Sequence, residues 1–411
     1  MNGLVIFIIR CGLRVDVVQE GEIVGERVTA AYVHIPFCRR RCFYCDFPIS
    51  VLGDRIRGEA SGSIVEYIEV LGREIALTQP TAPLETIFLG GGTPSLLAPS
   101  QVGQILEALA AQFGIREGAE ISLEIDPDTF TLEQVQGYQA LGVNRFSLGV
   151  QAFQDELLHK AGRSHCCEDI FRAVEDLRQG GIVNFSLDLI SGLPGQTLTQ
   201  WEESLKQAIA LKPTHLSCYD LVLEPVTAFG KQYEAGQKPL PSDEMTAQMY
   251  RRARDWLTSA GFEHYEISNY AQKGWQCRHN RVYWENRSYF GFGMGAASYV
   301  EGRRLTRPRT RREYYDWVEG LSLGRGGTEG DVISECDRLL ETLMLGLRLS
   351  EGVNLAHFSP DITQKILTGV EPYIQQGWVI YSPHSTQLQL TDPDGFLFSN
   401  TILSDLFNLF S

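Results

Sequence analysis

The sequence lacks the features that would place the protein in a membrane or on nucleic acid. No apolar run in its 411 residues approaches the roughly 18 residues that a membrane-spanning helix needs. Positive charge is also scarce, with 36 Lys and Arg against 51 Asp and Glu and a formal net charge of −15. Proteins that bind nucleic acid neutralise phosphates with a surplus of basic residues. We therefore expect no nucleic-acid partner and at most peripheral contact with a membrane.

The cysteines form no disulfide framework. Their number is nine, and outside one group at residues 38–45 their spacing matches no disulfide framework. No second C-x2-C pair accompanies that group, although a structural zinc site usually requires one. Free thiols are typical of a reducing compartment, so we expect a cytoplasmic protein.

The first 29 residues also lack the features of a secretory signal. Their apolar run GLVIFII follows no basic residue, and charged residues follow it without a clear cleavage site. A signal peptide needs a basic residue before its apolar run and a cleavage site after it. We interpret residues 1–29 as an N-terminal extension that need not be native, with Val28 as the candidate start.

Three cysteines in the run YVHIPFCRRRCFYCDF are the most informative feature that is present. Cys38, Cys42 and Cys45 follow an apolar strand with the spacing C-x3-C-x2-C. Three thiolates can bind three irons of a [4Fe–4S] cluster and leave the fourth iron without a protein ligand. A zinc site and three unrelated thiols are the alternatives. An iron with an open position implies chemistry at this loop.

Short apolar runs alternate with amphipathic helical stretches from Ala31 onward. Such alternation predicts a parallel sheet with helices between its strands. We expect strands at residues 31–35, 85–90, 120–125, 145–150, 185–190 and 215–221. When such alternating strands and helices close into a barrel or partial barrel, the functional site lies at the carboxyl ends of the strands.

Polar or small residues follow each of these strands. The cysteine loop follows the first strand, and GGGTPS follows the second. The other strands end at Glu124 and Asp126, at Gln151, at Asp188 and at Tyr219. We therefore expect all of these residues to share one rim. A network of salt bridges that only stabilises the rim is the alternative.

The cysteine loop, with Tyr44 before its last cysteine, resembles the signature of the radical S-adenosylmethionine (SAM) superfamily. In that superfamily the open iron chelates the amino and carboxylate groups of SAM, and an electron from the cluster can cleave the sulfonium to a 5′-deoxyadenosyl radical. The resemblance implies an electron donor and a partial (β/α)6 barrel of the TIM type. It also implies a glycine motif against the amino group of SAM.

Longer strings extend the resemblance. YVHIPFC, FLGGGTPS, LEIDPD, FSLGVQAF and LDLISGLPGQT are similar, in the same order, to the oxygen-independent coproporphyrinogen III dehydrogenase family of radical SAM proteins. Carboxylates suit ribose hydroxyls, and a guanidinium pairs well with a carboxylate. The resemblance implies SAM contacts at Tyr32, Tyr44, Gly91, Gly92, Thr93, Glu124, Gln151, Arg163 and Asp188.

Two departures from the dehydrogenases favour their sister group, the radical SAM heme chaperones. The dehydrogenases carry a further cysteine two places beyond the cluster, where this chain has Phe47. They also have a longer N-terminal arm. The resemblance to the chaperones implies a protein that binds heme and transfers it to an apo-hemoprotein. The alternatives are oxidative decarboxylation of coproporphyrinogen III and a different radical SAM reaction, so enzymatic activity is left open.

The second half contains an H-N-x-x-Y-W pattern that resembles the chaperones, for which heme binding at this pattern is proposed. Its residues are His279, Asn280, Tyr283 and Trp284. Imidazole is a good axial ligand, and aromatic rings offer apolar faces to a macrocycle. Packing in the core is the alternative. Cys277 is a second candidate ligand, and candidates of lower rank are His34, His264 and Cys218.

Composition and motifs together predict several structural units. The apolar content of 43% is sufficient for one large core and a smaller appendage. We divide the chain into the extension 1–29, the barrel 30–240, a mixed α/β segment 241–325 with the H-N-x-x-Y-W pattern, and a C-terminal domain 326–411. The last resembles a small α+β, winged-helix-like domain. The arginines within 303–312 form a solvated face, or dock heme propionates or an acidic partner.

Overall fold

The computed structural model describes residues 27–53, 58–325, 327 and 330–410, so most of the predicted N-terminal extension lies outside the described residues. The strands are β1 (Ala30–Ile35), β2 (Phe37–Cys38), β3 (Ser50–Val51), β4 (Leu84–Gly91), β5 (Ile115–Ile125), β6 (Arg145–Gln151), β7 (Phe185–Ser191), β8 (His215–Asp220), β9 (Glu263–Glu266), β10 (Asn269–Ala271), β11 (Phe290–Phe292), β12 (Ala297–Val300), β13 (Arg303–Thr306), β14 (Asp331–Val332), β15 (Val353–Asn354), β16 (Val379–Ser382) and β17 (Gln387–Leu390). The α-helices are α1 (Gly62–Leu77), α2 (Pro99–Phe113), α3 (Leu132–Ala140), α4 (Asp155–Lys160), α5 (Cys167–Gln179), α6 (Leu198–Ala210), α7 (Ala228–Gln232), α8 (Asp243–Ser259), α9 (Arg278–Trp284), α10 (Arg311–Ser322), α11 (Glu335–Gly346), α12 (Pro360–Gln375), α13 (Asp394–Leu397) and α14 (Ser399–Phe410). None of the described helices has the length and apolar character needed to cross a membrane.

One large open sheet organises the first three quarters of the chain. Its strand order is β11-β1-β4-β5-β6-β7-β8-β10-β9. The strands from β11 to β8 pair in parallel, whereas β10 and β9 are antiparallel to their neighbours. Helices connect the successive strands from β1 to β8. The predicted α/β fold and its six parallel strands are confirmed, although β5 begins earlier than expected, at Ile115.

The two faces of this sheet have different roles. Successive residues of a strand point to opposite faces. One face packs into the main core through fully buried residues such as Ile87, Leu89 and Leu123. The other face lines the inside of the barrel and carries aromatic and polar side chains such as Tyr32 and Ser122. Polar groups from several strands are thereby collected on one concave surface.

Residues beyond 240 complete both edges of the same sheet. β10 and β9 continue it beyond β8, and β11 pairs with β1 at the opposite edge. The sequence pattern gave no sign of this, because strands of three or four residues are too short to show a period. The sheet thus includes part of the segment 241–325, while the domain boundaries themselves stay a prediction.

A buried ion pair fastens α1 to the segment that follows β11. Arg307 Nε lies 2.7 Å from Glu74 Oε1, and the two side chains are 3% and 1% exposed. Tyr314 donates a hydrogen bond of 2.6 Å to the same carboxylate. Arg304 pairs with Glu341 of α11 at 2.6 Å. Two arginines of the basic stretch are therefore engaged within the fold.

The C-terminal residues form a smaller α+β unit with its own core. The antiparallel sheet β15-β17-β16 packs with α11, α12 and α14 around this second core. Arg348 contacts Glu266 at 3.1 Å, and Asp392 contacts His264 at 3.0 Å. The unit therefore packs on the β9 edge of the large sheet.

Candidate functional site

The three cysteines lie on one loop at the mouth of the barrel. The short strands β2 and β3 pair in parallel across the base of this loop, with Phe37 opposite Ser50. This pairing holds the two ends of the loop together. The thiols of Cys38, Cys42 and Cys45 are free and half-buried. Three free thiols on a loop closed in this way fit the three protein ligands of a [4Fe–4S] cluster.

The thiols also influence one another electrostatically. Burial raises the pKa of Cys38, and the nearby thiols of Cys42 and Cys45 raise it further. Burial likewise raises the pKa of Cys45 to about 11. Cysteine binds metals as the thiolate, so iron binding at this loop would displace protons.

The geometry does not match a site for one metal ion. The described residues contain no group of three His, Cys, Asp or Glu side chains arranged around such an ion. In a cubane each thiolate binds a separate iron, so its ligands need not converge on one point.

Arg163 links the cysteine loop to the neighbouring strand ends. Its guanidinium donates through Nη1 to Cys42 Sγ at 3.5 Å and through Nη2 to the carboxylate of Asp126 and to Gly149 O, the latter at 2.9 Å. Thr93 donates to the same carboxylate at 3.1 Å, and its hydroxyl group also lowers the pKa of the nearby Cys38 thiol. Asp126 is thus hydrogen-bonded to a neighbour of each of two cysteines, Thr93 beside Cys38 and Arg163 beside Cys42.

The backbone of the glycine motif lies too close to other residues to accommodate side chains. Gly91 has φ +112°, and a Cβ there would lie 2.3 Å from the ring of His34. A Cβ on Gly92 would lie 2.6 Å from Phe37 O. Only glycine tolerates this backbone and this approach. The N–H of Gly91 donates to Glu124 Oε2 at 2.8 Å.

Two further predicted residues, Glu124 and Asp188, lie on the inner face beside this motif. Burial raises the pKa of Glu124 to about 7, and the nearby carboxylates of Asp188 and Asp126 add to the effect. Asp188 accepts hydrogen bonds from Ser147, at 3.0 Å to Oδ2, and from Ser186, at 3.2 Å to Oδ1. These carboxylates can accept from ligand hydroxyls or amines.

Gln151 and the two predicted tyrosines occupy different parts of the rim. Gln151 ends β6 with φ 67°, a left-handed conformation that is uncommon outside glycine. The Tyr32 hydroxyl lies 2.9 Å from His34 Nδ1. The ring of Tyr44 packs 6.5 Å from that of Phe229, and its pKa is raised by burial and by Cys42. All of the predicted SAM residues therefore lie at or just below the mouth.

The sequence predicted that Asp126 lies at the rim, but it did not reveal that this carboxylate accepts hydrogen bonds from two other segments. Its partner Thr93 follows β4 and its partner Arg163 follows α4, so no local spacing reveals the connection. His34, a heme-ligand candidate of low rank for which packing was the preferred interpretation, has its ring under the glycine motif, and its Nε2 contacts Pro48 O at 3.0 Å. Burial lowers the pKa of His34 to about 4.

The H-N-x-x-Y-W pattern forms α9, which lies inside the barrel below the mouth. His279 is fully buried, with Nδ1 2.9 Å from Thr86 Oγ1 and Nε2 2.9 Å from the Tyr283 hydroxyl. Its ring stacks on Phe88 with centroids 5.4 Å apart. Burial lowers the pKa of His279 to about 3, so the ring is neutral.

The other predicted heme residues are divided between two environments. Cys277 is fully buried and contacts Glu120 at 3.6 Å. Trp284 lies on the outer side of α9, where the Arg348 guanidinium stacks 4.5 Å from its ring centroid. Asn280 is half-buried. Cys277 thus contacts the barrel interior, whereas Trp284 contacts the C-terminal unit.

Comparisons with known proteins agree with this architecture. Residues 32–208 match the model of the radical SAM superfamily, and residues 333–397 match that of the HemN C-terminal domain. In structure, the chain is similar to coproporphyrinogen III oxidase (HemN) from Escherichia coli, with a TM-score of 0.77 and 24% identity over 93% of this chain and 90% of that one. The two share a fold.

Sequence relatives define the family more narrowly. The chain is 49% identical to the heme chaperone HemW of Synechocystis sp. over 398 residues, which cover 92% of this chain and 96% of the relative. It is 37% identical to the heme chaperone HemW of Bacillus subtilis, covering 80% of this chain and 86% of the relative. Together with the cysteine loop and the barrel rim, these similarities show that the chain belongs to the HemW family of radical SAM proteins.

Proposed function

We propose that this protein is a heme chaperone that carries a [4Fe–4S] cluster and SAM at the mouth of its barrel, holds heme and passes it to an apo-hemoprotein. The observation that carries the proposal is the convergence of three free thiols, the Arg163–Asp126 pair and two further carboxylates at one rim. The names of the relatives supply the part of the proposal that concerns heme.

Each group at the rim has a defined task in this proposal. Cys38, Cys42 and Cys45 would hold the cluster, which supplies an open iron for SAM and electrons for its reduction. Arg163 places a positive charge against Cys42 Sγ and stabilises the negative charge of a thiolate there. Thr93 and Asp126 orient that guanidinium.

The carboxylates below the mouth would bind the polar groups of SAM. Glu124 is held through Oε2 by the Gly91 N–H, so its other oxygen would accept a hydrogen bond from SAM. Asp188 is oriented by two serine hydroxyls and retains acceptor capacity for ribose hydroxyls. A buried Nε of Arg163 has no partner among the described residues and is a free donor for the methionyl carboxylate.

Heme enters the proposal as cargo. His279 and Cys277, the ligands that the sequence favours, are both enclosed in this conformation. Heme ligation by either would require α9 to leave the barrel. The proposal therefore assigns no axial ligand to heme.

An electron donor would approach the cluster from the solvent side of its loop. A cavity of about 400 Å³ lies there, lined by Arg41, Cys42, Cys45 and Val226 among others. Phe43 and Val226 are 44% and 69% exposed beside it. Exposed apolar groups close to a redox centre suit transient contact with a carrier protein.

Two anaerobic assays on the reconstituted protein test the proposal. In the first, a titration with hemin is followed by addition of an apo-hemoprotein, and we expect stable uptake of heme and then its transfer. In the second, coproporphyrinogen III is incubated with the protein, SAM and a reductant, and we expect no vinyl product. Prompt formation of protoporphyrinogen IX would identify a dehydrogenase instead, and failure to retain hemin would contradict the chaperone.

A further inference from the structure

His279 has no lone pair or N–H available to a metal in this structure. Both ring nitrogens lie 2.9 Å from hydroxyl oxygens, one of Thr86 on β4 and one of Tyr283 on α9. The residue is 0% exposed. An axial ligand must instead present one nitrogen to iron at the face of a macrocycle.

The start of α9 is anchored to the barrel interior. Glu120 on β5 accepts hydrogen bonds of 3.0 Å from the backbone N–H groups of both Arg278 and His279. Glu120 is itself buried, and the buried Arg145 lies close to it and to Cys277. Moving α9 outward would leave this carboxylate buried without its donors, which is unfavourable.

The ring of His279 supports the floor of the rim site. His279 stacks on Phe88, and Phe88 stacks on Tyr32 with centroids 6.3 Å apart. Phe88 also lies beneath the glycine motif, since a Cβ on Gly90 would be 2.8 Å from its ring and 3.0 Å from the carboxyl group of Glu124. Three stacked rings thus connect His279 to the residues proposed to bind SAM.

The spacing of the motif explains this arrangement. Residues four apart lie on one face of a helix, which places His279 and Tyr283 together toward the barrel. Trp284 lies elsewhere on α9 and contacts Arg348 of the C-terminal unit. The motif therefore joins the barrel floor to that unit.

We propose that His279 is a positioning residue for the SAM pocket, supporting the Phe88–Tyr32 stack from below, and that it is not the axial ligand of heme. The proposal uses SAM binding at the mouth and, for its second half, the heme binding proposed above. It gives the H-N-x-x-Y-W pattern a role that needs no exposed histidine.

Anaerobic, cluster-reconstituted full-length variants test both halves. The affinity for SAM is measured by equilibrium dialysis, and the ligation of added hemin by its Soret maximum and electron paramagnetic resonance (EPR) spectrum. Glutamine can bridge a donor and an acceptor as the ring does, so His279→Gln should bind SAM within about threefold of the parent, whereas His279→Ala should lose about tenfold. Tyr283→Phe should weaken SAM binding in the same direction. His384→Ala, at an exposed histidine, is the matched control.

The heme spectra decide the second half of the proposal. We expect the Soret maximum and EPR signals of bound heme to be the same in the parent and all variants. A His279→Gln protein with normal SAM affinity and altered heme ligation would overturn the proposal. So would unchanged SAM affinity in His279→Ala. If the parent itself retains no heme, the chaperone function fails, while the SAM measurements still decide the positioning role.

Discussion

Arg163 lies between the thiol of Cys42 and the carboxylate of Asp126. Its Nη1 is 3.5 Å from Cys42 Sγ, while Nη2 pairs with Asp126, and the arginine side chain is 8% exposed. A largely buried positive charge at this distance stabilises negative charge on the thiolate and on any cluster bound to it. The carboxylate of Asp126 offsets part of that effect.

Removing the charge of Arg163 and removing that of Asp126 should shift the reduction potential of the cluster in opposite directions. Arg163→Gln removes the positive charge, so the reduced cluster becomes less stable and we expect its midpoint potential to fall by about 60 mV, equivalent to a tenfold change for one electron. Asp126→Asn removes a negative charge and should raise the potential. An EPR-monitored redox titration measures both. Shifts of the same sign in the two variants would refute this electrostatic role.

The raised pKa of Glu124 predicts a pH dependence of SAM binding. With a pKa of about 7 caused mainly by burial, Glu124 is mostly neutral at pH 6 and mostly ionised at pH 8. SAM carries positive charge, so the ionised form binds it better and affinity should rise about tenfold across this interval. Equilibrium dialysis at constant ionic strength measures the profile. Glu124→Gln should bind weakly, with a flatter profile, and an equally steep profile would assign the titration to SAM itself.

Two glycines with different surroundings should respond oppositely to alanine. At Gly91 the added Cβ would lie 2.3 Å from the His34 ring at φ +112°, so Gly91→Ala should destabilise the fold by about 2 kcal/mol or more. At Gly72 in α1 no atom lies within 4 Å of an added Cβ. Gly72→Ala should therefore stabilise the protein by about 0.5–1 kcal/mol. Thermal unfolding midpoints of the two variants provide the comparison, and a neutral Gly91→Ala would disprove the close contact.

The buried pair of Glu74 and Arg307 should matter far more than an exposed pair. Arg307→Met leaves the Glu74 carboxylate buried with one partner fewer, and we expect a loss of about 3–5 kcal/mol. Arg172, which is 61% exposed and pairs with Asp169 on α5, is the control. Arg172→Ala should change stability by less than about 1 kcal/mol. Chemical denaturation distinguishes the two cases, and similar small losses would contradict the proposed anchoring of α1.

The sequence predicted those parts of the fold that depend on local pattern. Alternating strands and helices are visible as hydrophobic periods, and the residues at the ends of parallel strands meet at one rim by topology alone. The rim residues Glu124 and Asp188 were predicted in this way, whereas family resemblance assigned their ligand and added Arg163.

Other parts depend on contacts between distant segments and could not be predicted. β11 pairs with β1 across more than half of the chain, and its three residues show no period. The connection of Asp126 to Thr93 and Arg163 has the same origin. At His279, the motif indicated a ligand, but the partners Thr86 and Phe88 that enclose the ring lie far away in sequence.

We propose that the loop of Cys38, Cys42 and Cys45 holds a cluster whose open iron faces SAM. EPR of the anaerobically reconstituted and reduced protein, recorded with and without SAM, tests it most directly. We predict a [4Fe–4S]⁺ signal that changes when SAM is added, is retained in Cys218→Ala and disappears when the three loop cysteines are replaced by alanine. A signal that does not change with SAM, or that survives the loss of those three thiols, would exclude a SAM-binding cluster at this loop.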